Sequence, residues 1–289
     1  MPQRGALLVG LAALICGACL RFSPFQVDLD DAQRDQTSKN LAFLAQRPRA
    51  PVSAEAPLTF AFISDTHQGY RNFGKIVDAI NARSDVELVL HGGDLTDFGT
   101  QQEYVWSYDI FSKLRVPYFE VAGNHDGLAN GRILYGEMFG PENFDFSYAG
   151  VHFVFFNINT IEWHEQEPDL DFLERKVNEV GYEQTFVVTH QPPVSVPHLT
   201  ASVTERLKSI LEQARVDLYL YGHIHDGFAV EQSGPTRFVK DEAGLYGSWM
   251  LIRSDGEHYD FGACRFEDCS FDPLPDVAAG VDETMGNDE

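Results

Sequence analysis

Basic residues are scarce in this chain. Its 289 residues carry 21 Lys and Arg against 44 Asp and Glu, a formal net charge of −23. A nucleic-acid partner requires a basic groove that neutralises phosphates; no such stripe is visible, and no nucleic-acid partner is expected. The acidity leaves room for a small phosphorylated substrate, because bound divalent cations invert the local field. Cysteine is also sparse, at four residues. No second cysteine or histidine cluster lies near Cys264 and Cys269 in sequence, which argues against a zinc site there. In an oxidising compartment that pair can close a small disulfide loop; otherwise the two are free thiols in a peripheral strand or turn. No repeat is evident, and the apolar run at residues 6–15 is too short to span a bilayer comfortably.

That run has other uses. Arg4 precedes it and Gly17-Ala18-Cys19 follows it, the proportions of a signal peptide over residues 1–18. The end resembles a bacterial lipobox, in which Cys19 is acylated and becomes the mature N-terminus, although Cys16 stands where such signals usually carry Leu. Export to a bacterial cell envelope, with a membrane tether through lipidated Cys19, is the expectation. A buried helix or a secretory signal cut nearby is the plainer alternative. Residues 19–56 read as a tether with one short helix near 31–45 and a Pro/Ala-rich linker. The folded unit is expected over residues 57–270, and residues 271–289, acidic and poor in bulky apolar side chains, read as a disordered tail.

With 44% hydrophobic residues, the chain can bury the core of one large α/β domain. Apolar runs at 58–63, 86–90, 118–121, 152–156, 185–188 and 216–221 read as strands buried on both faces. Helical patterns at 73–82, 101–113, 168–180 and 202–213 lie between several of them, which implies a sheet covered by helices.

Five of those strands run into polar patches: Asp65-Thr66-His67, Gly93-Asp94-Leu95-Thr96-Asp97, Gly123-Asn124-His125-Asp126, Thr189-His190 and Gly222-His223-Ile224-His225. Each is weak alone. Together, at the strand ends where open α/β sheets place their sites, they form a ligand set for a pair of metal ions. Asp, Asn and His supply hard oxygen and borderline nitrogen donors without thiolate, which suits Mn, Fe or Zn. Asp65 and His67 can turn toward one ion. Asp94 follows two glycines that allow close approach, and its two oxygens can bridge two ions. His223 and His225 can reach different ions. Asp97 reads as a loop or helix-cap residue. His91 points either into the site or away from it; His152 and His258 read as ordinary strand or surface residues. His164 and His198 fall in loops, and Tyr70, Phe98 and Gln191-Pro192-Pro193 are candidate pocket walls.

As a set these patches resemble the calcineurin-like metallophosphoesterase superfamily, over about residues 60–225. The resemblance implies a four-layer sandwich of two mixed β-sheets flanked by helices. It implies two divalent metal ions, one on Asp65, His67 and His225, the other on Asn124, His190 and His223, with Asp94 bridging. It implies hydrolysis of a small mono- or diester by a metal-bridging hydroxide. His125 would meet the phosphate or the leaving oxygen, and Asp126 would orient and support His125. In the related purple acid phosphatases a tyrosine follows the bridging aspartate by three residues; here Asp97 stands there, which argues against a tyrosinate-bound ferric ion. The short interval between Asp126 and His190 leaves little room for a capping domain, so an open site is expected. A non-catalytic binding module on the same fold and a metal-dependent nuclease are the alternatives.

Overall fold

The computed structural model describes residues 26–193 and 199–271; the signal-peptide, Cys19 and tail expectations, and His198, fall outside them. Each apolar run that alternates inward side chains toward two different layers becomes a fully buried strand. In β1 (Leu58–Ile63) all six residues are buried, with Phe60 and Phe62 in one apolar cluster and Ala61 and Ile63 in another. The period of two therefore feeds two cores from one strand.

The first sheet runs β12–β11–β10–β1–β2–β3, where β2 is Leu88–His91, β3 Tyr118–Glu120, β10 Ser248–Ser254, β11 Tyr259–Arg265 and β12 Asp268–Ser270. The second runs β4–β5–β6–β7–β9–β8, with β4 Phe144–Tyr148, β5 Val151–Phe155, β6 Gln184–Val188, β7 Leu218–Tyr221, β8 Ala229–Ser233 and β9 Thr236–Lys240. Both are mixed: β1–β2–β3 and β5–β6–β7–β9 pair in parallel, and the remaining pairings are antiparallel.

Phe60, Phe153 and Phe186 lie in the apolar layer between the sheets. On the outer face of the first sheet pack α2 (Tyr70–Asn81), α3 (Gln101–Phe111) and α4 (Gly131–Met138), through Phe73, Phe111 and Tyr135. On the outer face of the second pack α5 (Leu170–Val177) and α6 (Ala201–Gln213). The result is helix, sheet, sheet, helix, the sandwich that the resemblance implied. A capping box starts α3, with Thr100 donating to Glu103 at 2.7 Å and Glu103 accepting the Thr100 amide at 3.0 Å. Asp97 is not the cap.

The stretch expected as a tether is held against the domain from residue 27 onward. Its helix α1 spans Gln36–Leu44, Leu29 and Leu44 are buried in the two cores that flank the first sheet, and the Val52 amide donates to the Ala149 carbonyl at 2.7 Å. Arg49 pairs with Glu87. Polar composition masked these few apolar anchors. Cys264 and Cys269 face each other across β11 and β12 and form a disulfide.

Candidate metal centre

Five strands deliver the site. In the first sheet β1 ends before Asp65 and His67, β2 before Asp94 and β3 before Asn124; in the second, β6 ends before His190 and β7 before His223 and His225. The chain must turn sharply at these ends. Asp65, His67, Asp94 and His223 adopt left-handed backbone, with φ of 51°, 44°, 56° and 68°. Such positions cost about 1–3 kcal/mol each and persist only where surrounding contacts hold them. Gly123 makes the closest approach possible: a Cβ there would sit 2.0 Å from the Asp94 nitrogen.

All seven expected ligands converge. Asp65, His67 and His225 form one group and Asp94, His190 and His223 a second, the donor atoms of each lying within 4.8 Å of one another. His225 Nε2 is 2.9 Å from Asp65 Oδ1. His190 Nε2 lies 3.0 Å from Asn124 Oδ1, 3.1 Å from His223 Nδ1 and 3.1 Å from Asp94 Oδ2. Asp94 Oδ2 is also 3.7 Å from His67 Nε2, so it stands between the groups. The His190 tautomer fits ligation. His190 Nδ1 donates to the Gly92 carbonyl at 2.8 Å, leaving Nε2 and its lone pair for an ion. Asp97 Oδ1 lies 2.7 Å from His67 Nδ1, a close contact without hydrogen-bond alignment.

Without cations the cluster balances its own charge. Burial alone would raise Asp94 and lower His190, but the charge and hydrogen bond between them win: Asp94 stays below the usual carboxylate range and His190 is pushed up to about 10. Burial and the neighbouring His190 push His223 down to about 4. Loading a cation therefore means displacing a proton held by His190.

His125 and Asp126 sit on the same loop, but not as a hydrogen-bonded pair. His125 Nδ1 lies 2.8 Å from the Asp97 carbonyl, which only accepts, so Nδ1 carries a hydrogen and Nε2 is the working nitrogen. The Asp126 carboxylate accepts from the amides of Asp94, Thr96 and Gly123 at 2.9–3.0 Å and from Thr96 Oγ1 at 3.0 Å. Its contribution to His125 is the field of a nearby charge; orientation belongs to Asp97. Asp126 instead ties the Asp94 loop to the Asn124 loop. Burial and the neighbouring Asp94 raise its pKa to about 6.

Sequence reasoning passed over Glu162 and Trp163. Glu162 Oε1 accepts from Asn124 Nδ2 at 3.4 Å, and Trp163 Nε1 donates to the Gly123 carbonyl at 2.8 Å. No spacing rule ties residue 162 to residue 124. His91 points away from the donor groups, toward Thr66 and Glu120. His152 bonds Asp145, and exposed His258 lies by Asp255. His164 is an exposed loop residue. Asp145, His152 and Glu179 form a third group of possible donors, but Lys176 already pairs with both carboxylates there. Residues 127–189 build α4, β4, β5, α5 and β6, with no inserted domain among the described residues.

The comparisons agree with this geometry. The calcineurin-like phosphoesterase family matches residues 58–227, more than half of the chain. A probable cyclic nucleotide phosphodiesterase of Coxiella burnetii is 24% identical over 57% of this chain and 71% of its own length. A 3′,5′-cyclic-nucleotide phosphodiesterase of Nostoc is 26% identical over 50% of this chain and 58% of its own, so the chain spans less than two thirds of that relative. A purple acid phosphatase from yellow lupin superposes with a TM-score of 0.59 at 14% identity, over 79% of this chain and 54% of that one, a likeness of fold. The chain belongs to the calcineurin-like phosphoesterase family.

Proposed function

We propose that this protein is a metal-dependent phosphodiesterase that opens small, singly charged diesters bearing apolar or aromatic ester groups. One observation carries the substrate reading. The segments that surround the donor cluster, residues 64–69, 92–100, 122–130, 157–167, 189–193, 222–228 and 241–247, contain no lysine or arginine. Flanking Arg132 is paired with Glu142, and Lys240 with Asp226. A monoester dianion has a second charge that a protein cation would normally meet; a diester does not. The same segments expose Phe98, Ile161, Ile224 and Tyr246, and the Tyr246 ring stands 6.2 Å from His225. The two phosphodiesterase relatives support the same choice.

In this reading, the residues divide the work. Two divalent ions bound here would supply Lewis acidity and a water of lowered pKa. Asp65, His67 and His225 would hold one, Asn124, His190 and His223 the other, with Asp94 shared. His125, turned by the Asp97 carbonyl, presents Nε2–H as a proton for the leaving oxygen. Asp126 holds the Asp94 and Asn124 loops at fixed separation. Exposed apolar side chains receive the ester groups.

The test compares bis(p-nitrophenyl) phosphate with p-nitrophenyl phosphate in Mn²⁺. The diester should have at least tenfold higher kcat/KM, and a 3′,5′-cyclic nucleotide should be opened; a faster monoester would sink the substrate reading. Location is a separate proposal. Gly17-Ala18-Cys19 and the disulfide support an exported, lipid-tethered protein. Cys19→Ser should move it from the membrane to the soluble fraction, and an unchanged distribution would refute the tether.

A further inference from the structure

Under the ligand loops, on the sheet face that packs against α2 and α3, lie three buried polar side chains that the chemistry above does not use: Thr66, His91 and Glu120. Ile63, His91 and Glu120 end β1, β2 and β3 and are paired across the strands. Their neighbours on this face are apolar, including Ala61, Val89 and Tyr118, and the rings of Phe111 and Phe73 stand 5.5 Å and 6.1 Å from that of His91. An apolar residue would fill such a slot at less desolvation cost than a His–Glu pair. The polar pair therefore asks for a reason.

The contacts form a chain. Glu120 Oε2 is 2.8 Å from His91 Nδ1, and His91 Nε2 is 3.2 Å from Thr66 Oγ1. The Gly93 amide also donates to His91 Nδ1, at 3.3 Å, which marks that nitrogen as an acceptor. Burial pushes His91 down to about 3, and burial with the nearby Asp126 charge lifts Glu120 well above the carboxylate range. With Nδ1 accepting the Gly93 amide, Nε2–H donates to Thr66 Oγ1, and the Glu120 carboxyl packs against the ring with neither oxygen hydrogen-bonded. Thr66 is the one residue between Asp65 and His67, both in left-handed backbone. Gly93 precedes Asp94.

We propose that His91 and Thr66 form a buried relay of hydrogen bonds, from the Gly93 amide through the His91 ring to Thr66 Oγ1, that positions the Asp65–His67 loop for its ion. The relay rests on the two-ion reading of the site. These are positioning residues, since none of them reaches the cleft. The arrangement ties the loop after β1 to the end of β2, a brace for a backbone that would otherwise relax.

The experiment is calorimetric titration of the metal-free protein with Mn²⁺, using His67→Ala to identify the binding step of that ion. Thr66→Val and His91→Phe should each weaken that step about tenfold, within the range for groups that orient ligands, and leave the other step within about twofold. The double variant should be no weaker than either single variant, because one chain is being cut twice. Glu120→Gln, which leaves both hydrogen bonds of the relay in place, should stay near wild type. Wild-type affinity in Thr66→Val and His91→Phe would overturn the relay, as would equal weakening of both steps in proportion to lost thermal stability. A wild-type protein that binds no pair of ions would instead refute the two-ion reading, so the two failures are told apart.

Discussion

The Asp97 carbonyl fixes the ring of His125 through a 2.8 Å contact to Nδ1, while the Asp97 carboxylate lies 2.7 Å from His67 Nδ1. One residue thus touches the rings of two site histidines and sets the tautomer of His125. His125→Ala should keep both ions and lower kcat by about 10²- to 10⁴-fold, the usual worth of a positioned acid. Metal analysis with steady-state kinetics checks this; parallel loss of metal would make His125 structural.

Asp94 is the hub of the donor cluster, and its Oδ1 also accepts the His125 amide at 2.9 Å. Asp94→Asn should lose paired-ion loading and turnover together, by more than about 10³-fold in rate if both ions are needed. Metal content that stays at two per chain with wild-type turnover would remove Asp94 from the bridge.

The backbone at Gly123 makes an independent prediction. A Cβ at this position meets the Asp94 nitrogen at 2.0 Å and Asp94 Oδ1 at 2.2 Å, neither of which can swing aside. Gly123→Ala should destabilise the protein by about 1–3 kcal/mol, as overpacking does, and should reduce metal uptake more than the distant Gly136→Ala, where a Cβ meets nothing within 4 Å. Paired melting curves and metal assays decide it.

His190 gives the metal-free protein a pH signature. Its folded pKa is pushed up to about 10 from 6.5. The stabilisation it confers is fully present below pH 6.5 and is lost as pH rises through 10. The slope from this one proton is at most about 1.4 kcal/mol per pH unit. In EDTA, the melting temperature should fall between pH 7 and 10, and His190→Gln should flatten that fall.

The N-terminal segment should also matter for stability. Leu44 is 5% exposed and sits in the layer between the sheets. Leu44→Ala should cost about 2–5 kcal/mol, the range for a truncated core leucine, measured by urea unfolding. A surface-like change below 0.5 kcal/mol would restore the tether picture.

The legible parts of this chain were those with strong periodicity or dense chemistry. Apart from β4, the strands from residue 58 to residue 221 are near-continuous apolar runs, and each expected helix lies within a few residues of its observed ends. The ligands were readable because each follows a strand. After residue 221 the sequence reading named no strands, although β8 to β12 complete both sheets; polar residues alternate in edge strands such as Ala229–Ser233, whereas β10 is a buried apolar run, Trp249 to Ile252, that leads into no polar patch and was passed over. Helix α4 was missed because Gly131 and Gly136 lower its propensity. Asp126 was misplaced for a different reason. The resemblance made it the support that orients His125, whereas its carboxylate is taken up by amides of the Asp94 loop and of its own loop at Gly123.

Each ion of the pair would draw ligands from both sheets, since Asp65, His67, Asp94 and Asn124 follow strands of one and His190, His223 and His225 follow strands of the other. Neither half of the sandwich therefore owns a complete binding site. Full ligation of either ion would need both sheets in place, so metal uptake would report on correct assembly. Ions bound there would link the two sheets across the seam, and protection should grow with the logarithm of free-ion concentration. Chelation would loosen the joint between the halves before it melted either one.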